Sequence, residues 1–325
     1  MTGKPKVVLV TGASAGIGQA CADLLHRAGW TVVGASRRGT ATAGDRGTTT
    51  GSGTTTAGDR GTATGSGTTT SGDRGTATGS GTTTGNGTAA GSRTAARGTW
   101  GGLVMNVDDD DSVRDGVGSV VAAHGRIDAV VAAAGWGVAG PVELTAVGEA
   151  KAQLETNFWG CVRVVQAALP LMRAQGGGRL VLISSIGGVL GIPFQAFYSA
   201  SKFALEGYGE ALAYEVAPFG IDVTLVQPGN FRTDFTANRR MAAAAEGDSV
   251  YGAALAKAVG LMERDEINGA PAADVAAVVQ RVLAARRPPR RVSVGKAGER
   301  IGLLAKRVLP FRIFEAGAKG SLGVG

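Results

Sequence analysis

The chain has 325 residues, 44% of them hydrophobic, with 33 Lys or Arg against 26 Asp or Glu and a formal charge of +7. Two cysteines, Cys21 and Cys161, and two histidines, His26 and His124, exclude a disulfide scaffold and supply no zinc-like ligand spacing. No stretch reaches the roughly 18–20 apolar residues of a membrane span, and the N-terminus lacks the apolar region of a secretory signal, so a cytoplasmic protein without a metal is expected.

The first element is a β-branched run, Lys6–Val10, predicted as a strand. It leads into Thr11-Gly12-Ala13-Ser14-Ala15-Gly16-Ile17-Gly18 and a helix-like stretch that ends at Gly29. Glycines between a strand and a helix let the backbone approach a pyrophosphate, which the free N–H groups at the helix start bind. A structural turn is the alternative. The second strand ends in Ala35-Ser36-Arg37-Arg38, where an acidic residue would accept ribose hydroxyls and positive charge suits a 2′-phosphate. Arginines that merely cap a strand at the surface are the other reading.

Composition then changes abruptly. Residues 39–99 hold 17 Gly and 21 Thr, with no Val, Ile, Leu, Met or aromatic residue, and a fourteen-residue unit beginning Gly44-Asp45-Arg46-Gly47 recurs from Gly58 and Gly72. Without apolar side chains to bury, the segment is predicted to be a disordered insertion, which loop-closure entropy tolerates. Set aside, it leaves roughly 265 residues, enough for one large core.

Further apolar runs fall near 103–107, 127–134, 180–184, 221–227 and 291–294, alternating with helical patterns at 112–124, 151–175, 198–217 and 272–286. That alternation predicts an α/β fold: a Rossmann-like, doubly wound parallel sheet in a single domain spanning 1–38 and 100–295. Tyr198 and Lys202, four residues apart, share a face of the last-but-one helix, so a phenol and an ammonium enter one site. A nearby positive charge favours phenolate, the property of a general acid or base, and Ser185 stands just past an apolar strand.

Taken together these motifs resemble the short-chain dehydrogenase/reductase family, closest in pattern to its hydroxysteroid and retinol dehydrogenase-like branch. The likeness covers residues 5–38 and about 100–295, with Asn157 in Thr156-Asn157-Phe158 and the segment Pro228-Gly229-Asn230-Phe231-Arg232-Thr233 matching two further motifs. The resemblance implies that Tyr198 exchanges a proton with the substrate oxygen. Lys202 would lower the Tyr198 pKa and hold the nicotinamide ribose, Ser185 would polarise the substrate oxygen, and Asn157 would hold a relay water. It implies NADP(H) as cofactor, bound by Gly12, Ser14, Gly16, Ile17, Gly18, Ser36, Arg37, Arg38, Asn106, Val107, Ala134, Gly135, Tyr198, Lys202, Pro228, Gly229 and Thr233. Two departures stand out: Ala132-Ala133-Ala134-Gly135 replaces an Asn-Asn-Ala-Gly type of motif, and Asn106-Val107 replaces Asp-Val.

Residues 231–271 fall where the family carries a substrate lid, with Met241, Tyr251, Leu255, Val259, Leu261 and Met262 set among charges. Trp136, Val138, Leu190, Ile192, Phe194 and Phe197 either line an apolar pocket or pack in the core. The hydroxysteroid and retinol dehydrogenase-like pattern implies a small-molecule substrate that is a bulky apolar ketone or secondary alcohol. A non-catalytic NADP-binding protein and an NAD-dependent alcohol dehydrogenase of the same family are the alternatives. From Arg281 to Lys319 there are eleven Lys or Arg against two Glu, and residues 296–325 read as a basic amphipathic tail broken at Pro310. The tail docks on the domain or a second subunit, or lies on a membrane surface; nucleic acid is not an expected partner. The family also implies a homo-oligomer.

Overall fold

The computed structural model describes residues 5–37, 39 and 100–321. Arg38 and the body of the insertion, 40–99, lie outside the described residues.

In chain order the elements are β1 (Val7–Thr11), α1 (Gly16–Arg27), β2 (Thr31–Ser36), β3 (Gly101–Val104), α2 (Asp110–His124), β4 (Ala129–Ala132), α3 (Val147–Leu154), α4 (Gly160–Ala174), β5 (Gly178–Ile183), α5 (Ala196–Val216), β6 (Ile221–Pro228), α6 (Gly252–Ile267), α7 (Ala272–Ala284), β7 (Arg291–Val294), α8 (Ala297–Val308) and α9 (Phe311–Ser321). The strands form one seven-stranded parallel sheet in the order β7-β6-β5-β4-β1-β2-β3. The expected doubly wound fold is the observed one.

Every residue of β1 is buried, because side chains alternate between two covered faces. Val7 and Leu9 enter one core with Val113 and Val117 of α2, Val164 and Val165 of α4 and Leu205 and Leu212 of α5. Val8 and Val10 enter the opposite core with Cys21 and Leu25 of α1 and Val275 and Val279 of α7. Each fully buried aliphatic side chain contributes about 1.5–3 kcal/mol. A third cluster (Val138, Ala139, Ala242, Ala245, Leu255 and Val259) sits beneath α6, away from the sheet.

Chain order reverses between β1 and β4, so their loops diverge and leave a crevice at the carboxyl ends of the strands. One difference from the sequence pattern and one agreement with it matter there. The helix expected over 151–175 is α3 and α4 joined by a π-helical turn, Glu155–Trp159, which carries Asn157. The basic tail is α8 and α9, divided at Leu309-Pro310 as the proline predicts.

Candidate active site

The glycine loop needs its glycines for two reasons. Gly12 and Gly16 have φ of 66° and 55°, a region that side-chain-bearing residues avoid. A Cβ on Gly12 would come within 2.9 Å of the Ala133 and Ala134 backbone, and one on Gly18 would run into the Gly12 carbonyl. Ala15 caps α1 without a side-chain hydrogen bond, and the first turn of α1 has no acidic residue. The amides that open the helix are thus left for an anion.

The departure at Ala132–Gly135 has a local answer. Thr11 Oγ1 accepts from the Ala133 and Ala134 N–H groups at 3.1 and 3.2 Å, tying the end of β4 to the end of β1. Gly135 then lies between Asn157 and Lys202, its missing Cβ 3.1 Å from Asn157 Oδ1 and 3.8 Å from Lys202 Nζ.

Asn157 is almost fully buried and bonds Trp136 twice, accepting from its N–H at 3.0 Å and donating to its carbonyl at 3.0 Å. Its second amide hydrogen goes to Ser201 Oγ at 3.2 Å. Trp136 is held further by Gln153, which donates to the same carbonyl at 2.6 Å, and by Arg240, 4.3 Å above its ring. Nothing in the sequence pattern singled out Gln153 or Arg240.

Ser185, Tyr198 and Lys202 converge at the end of β5. Ser185 Oγ accepts from Gly187 N–H at 3.0 Å, and Lys202 Nζ donates to the Ile183 carbonyl at 2.9 Å. The Tyr198 ring meets Phe235 edge-on, centroids 5.5 Å apart. Burial pushes the phenol up to about 12, with the Ser185 hydroxyl pulling it down and Glu266 pushing it up. Burial also lowers the Lys202 ammonium to about 8, against the upward pull of Cys161 and Glu206. The expected lowering of the phenol by the ammonium is therefore not what this arrangement produces. Loss of solvent outweighs every nearby charge.

These groups share a cavity of about 470 Å³. Gly12, Ser14, Gly16, Ile17, Gly18, Ser36 and Arg37 line one end, and Ser185, Tyr198 and Lys202 the other, with Val107, Ala134, Gly135, Pro228, Gly229 and Thr233 between. Asn106 is not in that lining; its Oδ1 accepts from Asp108 N–H at 3.3 Å. Ser36 Oγ donates to the Gly39 carbonyl at 2.6 Å. Of the residues considered for an apolar pocket, Trp136, Leu190 and Ile192 line the cavity. Val138, Phe194 and Phe197 pack in the third cluster. From the segment 231–271, Phe235, Leu261 and Met262 reach the cavity, while Leu255 and Val259 anchor the segment below. Tyr251 donates to Glu143 at 2.7 Å, and Met241 is exposed.

A family model described as short chain dehydrogenase matches residues 6–49 and 61–244. The chain belongs to the short-chain dehydrogenase family. Its class of chemistry is accordingly that of an oxidoreductase using a nicotinamide cofactor. The 3-ketodihydrosphingosine reductase of Bacteroides thetaiotaomicron is 34% identical to this dehydrogenase over 307 residues, 94% of each chain. The 17-beta-hydroxysteroid dehydrogenase type 1 of Homo sapiens is 41% identical over 133 residues, 41% of this chain and 40% of that protein, in keeping with the hydroxysteroid-like branch. Among solved structures, a short-chain dehydrogenase from Streptomyces avermitilis superposes with a TM-score of 0.69 at 28% identity, covering 98% of this dehydrogenase and 99% of its own chain.

Proposed function

We propose that the chain is an NADP(H)-dependent oxidoreductase that interconverts an apolar ketone and its secondary alcohol, with Tyr198 as general acid and base. The observation that supports it best is the continuity of one cavity from the uncapped start of α1 to Tyr198. The residues present fit the cofactor: glycines where a Cβ would block the backbone, free amides for a pyrophosphate, and Arg37 with no acidic residue beside it at the end of β2. Gly12 to Gly18 hold the pyrophosphate, and Ser36, Arg37 and Arg38 hold the 2′-phosphate. Val107 flanks the adenosine, with Asn106 outside the lining holding the turn behind it, Ala134 and Gly135 back the middle of the cofactor, and Lys202, Pro228, Gly229 and Thr233 hold the nicotinamide end. When bound, NADP(H) supplies or accepts the hydride.

The protein's own groups handle the proton. A phenol raised to about 12 keeps its hydrogen at neutral pH, which suits donation to a ketone oxygen during reduction. Because Ser185 Oγ accepts from Gly187, its own hydrogen is left to be shared between the Tyr198 oxygen and the substrate oxygen. Asn157 has both amide hydrogens engaged, so a relay water there relies on its main-chain carbonyl. Leu190, Ile192, Phe235, Leu261 and Met262 supply the apolar wall, and residues 231–271 form the lid. The ketone in the name of the Bacteroides relative, alike over nearly the whole chain, supports the substrate class.

The test follows NADPH consumption across apolar ketones by wild type and Tyr198→Phe. A loss of roughly a hundredfold or more, with NADPH affinity little changed, is expected. Turnover that survives the change overturns the assignment.

Peripheral membrane contact belongs to the same proposal. No described helix is long and apolar enough to cross a membrane. On α8, however, Ile301, Leu304 and Val308 form an exposed stripe flanked by exposed Arg300 and Arg307. Ile301→Asp with Leu304→Asp is expected to abolish co-sedimentation with anionic vesicles; undiminished binding overturns the contact. A homo-oligomer is proposed on family grounds, and sedimentation at a single monomer mass would refute it.

A further inference from the structure

Gln195 stands out among the residues the proposed chemistry does not use. It is the N-cap of α5, three residues before Tyr198, and its side chain makes no capping hydrogen bond. Only 3% of Gln195 is exposed, it lines the cavity, and its Nε2 has no hydrogen-bond partner among the described residues. Leaving a buried amide donor unmade is unfavourable, so such a group calls for an explanation.

The main chain holds Gln195 firmly in that position. Its N–H donates to the Ile192 carbonyl at 3.1 Å, and its carbonyl accepts from Ser199 at 2.9 Å. The preceding residue, Phe194, has a φ of 58°, a left-handed conformation rare for a residue with a side chain. Gly140 N–H donates to the Phe194 carbonyl at 2.8 Å, and the Phe194 ring packs into the third cluster. A strained residue held at both its carbonyl and its ring thus delivers a fixed donor to the substrate end of the cavity.

Gln195 stands one turn before Tyr198 at the start of α5 and lines the same cavity as Tyr198 and Ser185. A free donor in the wall that also carries Tyr198 and Ser185 meets the substrate beside, rather than at, the oxygen those two groups take. We propose that Gln195 reads the substrate by donating a hydrogen bond to an oxygen acceptor borne on the carbon chain next to the reacting carbonyl. Functionalised ketones, such as β-hydroxy ketones, are then preferred over plain dialkyl ketones of the same length. This rests on the ketone-binding reading of the cavity.

The test measures dissociation constants of a long-chain dialkyl ketone and the β-hydroxy ketone of equal length, on protein saturated with NADP+. Wild type should bind the β-hydroxy ketone roughly tenfold to a hundredfold more tightly. Gln195→Met, similar in shape without the donor, should bring the two affinities together. Gln195→Asn, which keeps an amide, should retain part of the preference and serves where the Met variant does not fold. Equal affinities in wild type, or a preference undiminished in Gln195→Met, overturn the assignment. NADPH oxidation with the same ketones reads the activity separately: no turnover with the affinity difference intact sinks the reductase reading and leaves Gln195 as the acceptor-binding group.

Discussion

Lys202 Nζ donates to the Ile183 carbonyl at 2.9 Å, so the ammonium is fastened to the end of β5 in a place where it has lost its water. Its pKa falls from 10.5 to about 8. Between those values the unfolded chain binds more protons than the folded one, so stability rises with pH across that window. Tyr198 acts in the opposite sense higher up. With its pKa raised from 10.0 to about 12, stability is lost as pH climbs through that interval. Relative to Lys202→Met, wild type should gain on the order of 2 kcal/mol between pH 8 and 10, read from urea midpoints. Parallel pH curves for the two proteins would show that the ammonium is not desolvated.

Thr11 offers a test of how the end of β4 is held. Thr11→Val keeps the shape but leaves the Ala133 and Ala134 amides without their acceptor. The expected cost is about 1–3 kcal/mol, with weakened cofactor binding because Ala134 and Gly135 line the cavity. A variant as stable as wild type, with unchanged NADPH affinity, would refute that role.

Arg239 is buried and pairs with Glu266, which also accepts from Thr236 Oγ1 at 2.6 Å. Arg239→Ala leaves Glu266 as an uncompensated charge in the cavity wall. Destabilisation of about 3–5 kcal/mol is expected, and Arg239→Met with Glu266→Gln should recover much of it. Thermal unfolding of the three proteins decides; equal losses in single and double variants would count against a coupled pair.

Ser36→Asp with Arg37→Ala replaces the proposed phosphate-binding end of β2 by one suited to ribose hydroxyls. The ratio of kcat/KM for NADPH over NADH should fall by roughly tenfold or more. An unmoved ratio places cofactor choice elsewhere.

Much of the fold was legible because its central strands are continuous apolar runs, as a sheet covered on both faces requires. The glycine loop and Tyr198-x-x-x-Lys202 were legible because their chemistry depends on local spacing. What escaped was set by distant contacts. The π-helical turn at Asn157 has no mark in Glu155-Thr156-Asn157-Phe158-Trp159, Gln153 and Thr11 gain meaning only from groups further along the chain, and Gln195 shows itself only through burial without a partner. The direction of the Tyr198 shift failed for the same reason: a nearby charge can be counted in a sequence, but the removal of solvent cannot.

Glu299 of α8 uses one carboxylate oxygen on the Asn230 N–H and the other on its own cap, the Lys296 N–H, both at 2.9 Å. It occupies the space that a side chain on Gly229 would need. The basic tail is therefore stitched to the Pro228–Thr233 rim of the cavity. Removing everything after Gly295 would not be a clean deletion of an appendage, because it would also unlatch the wall of the nucleotide cleft. Point changes on the outer stripe of α8 separate the two effects, and any event that peels α8 away would be felt in the cavity that Pro228, Gly229 and Asn230 line.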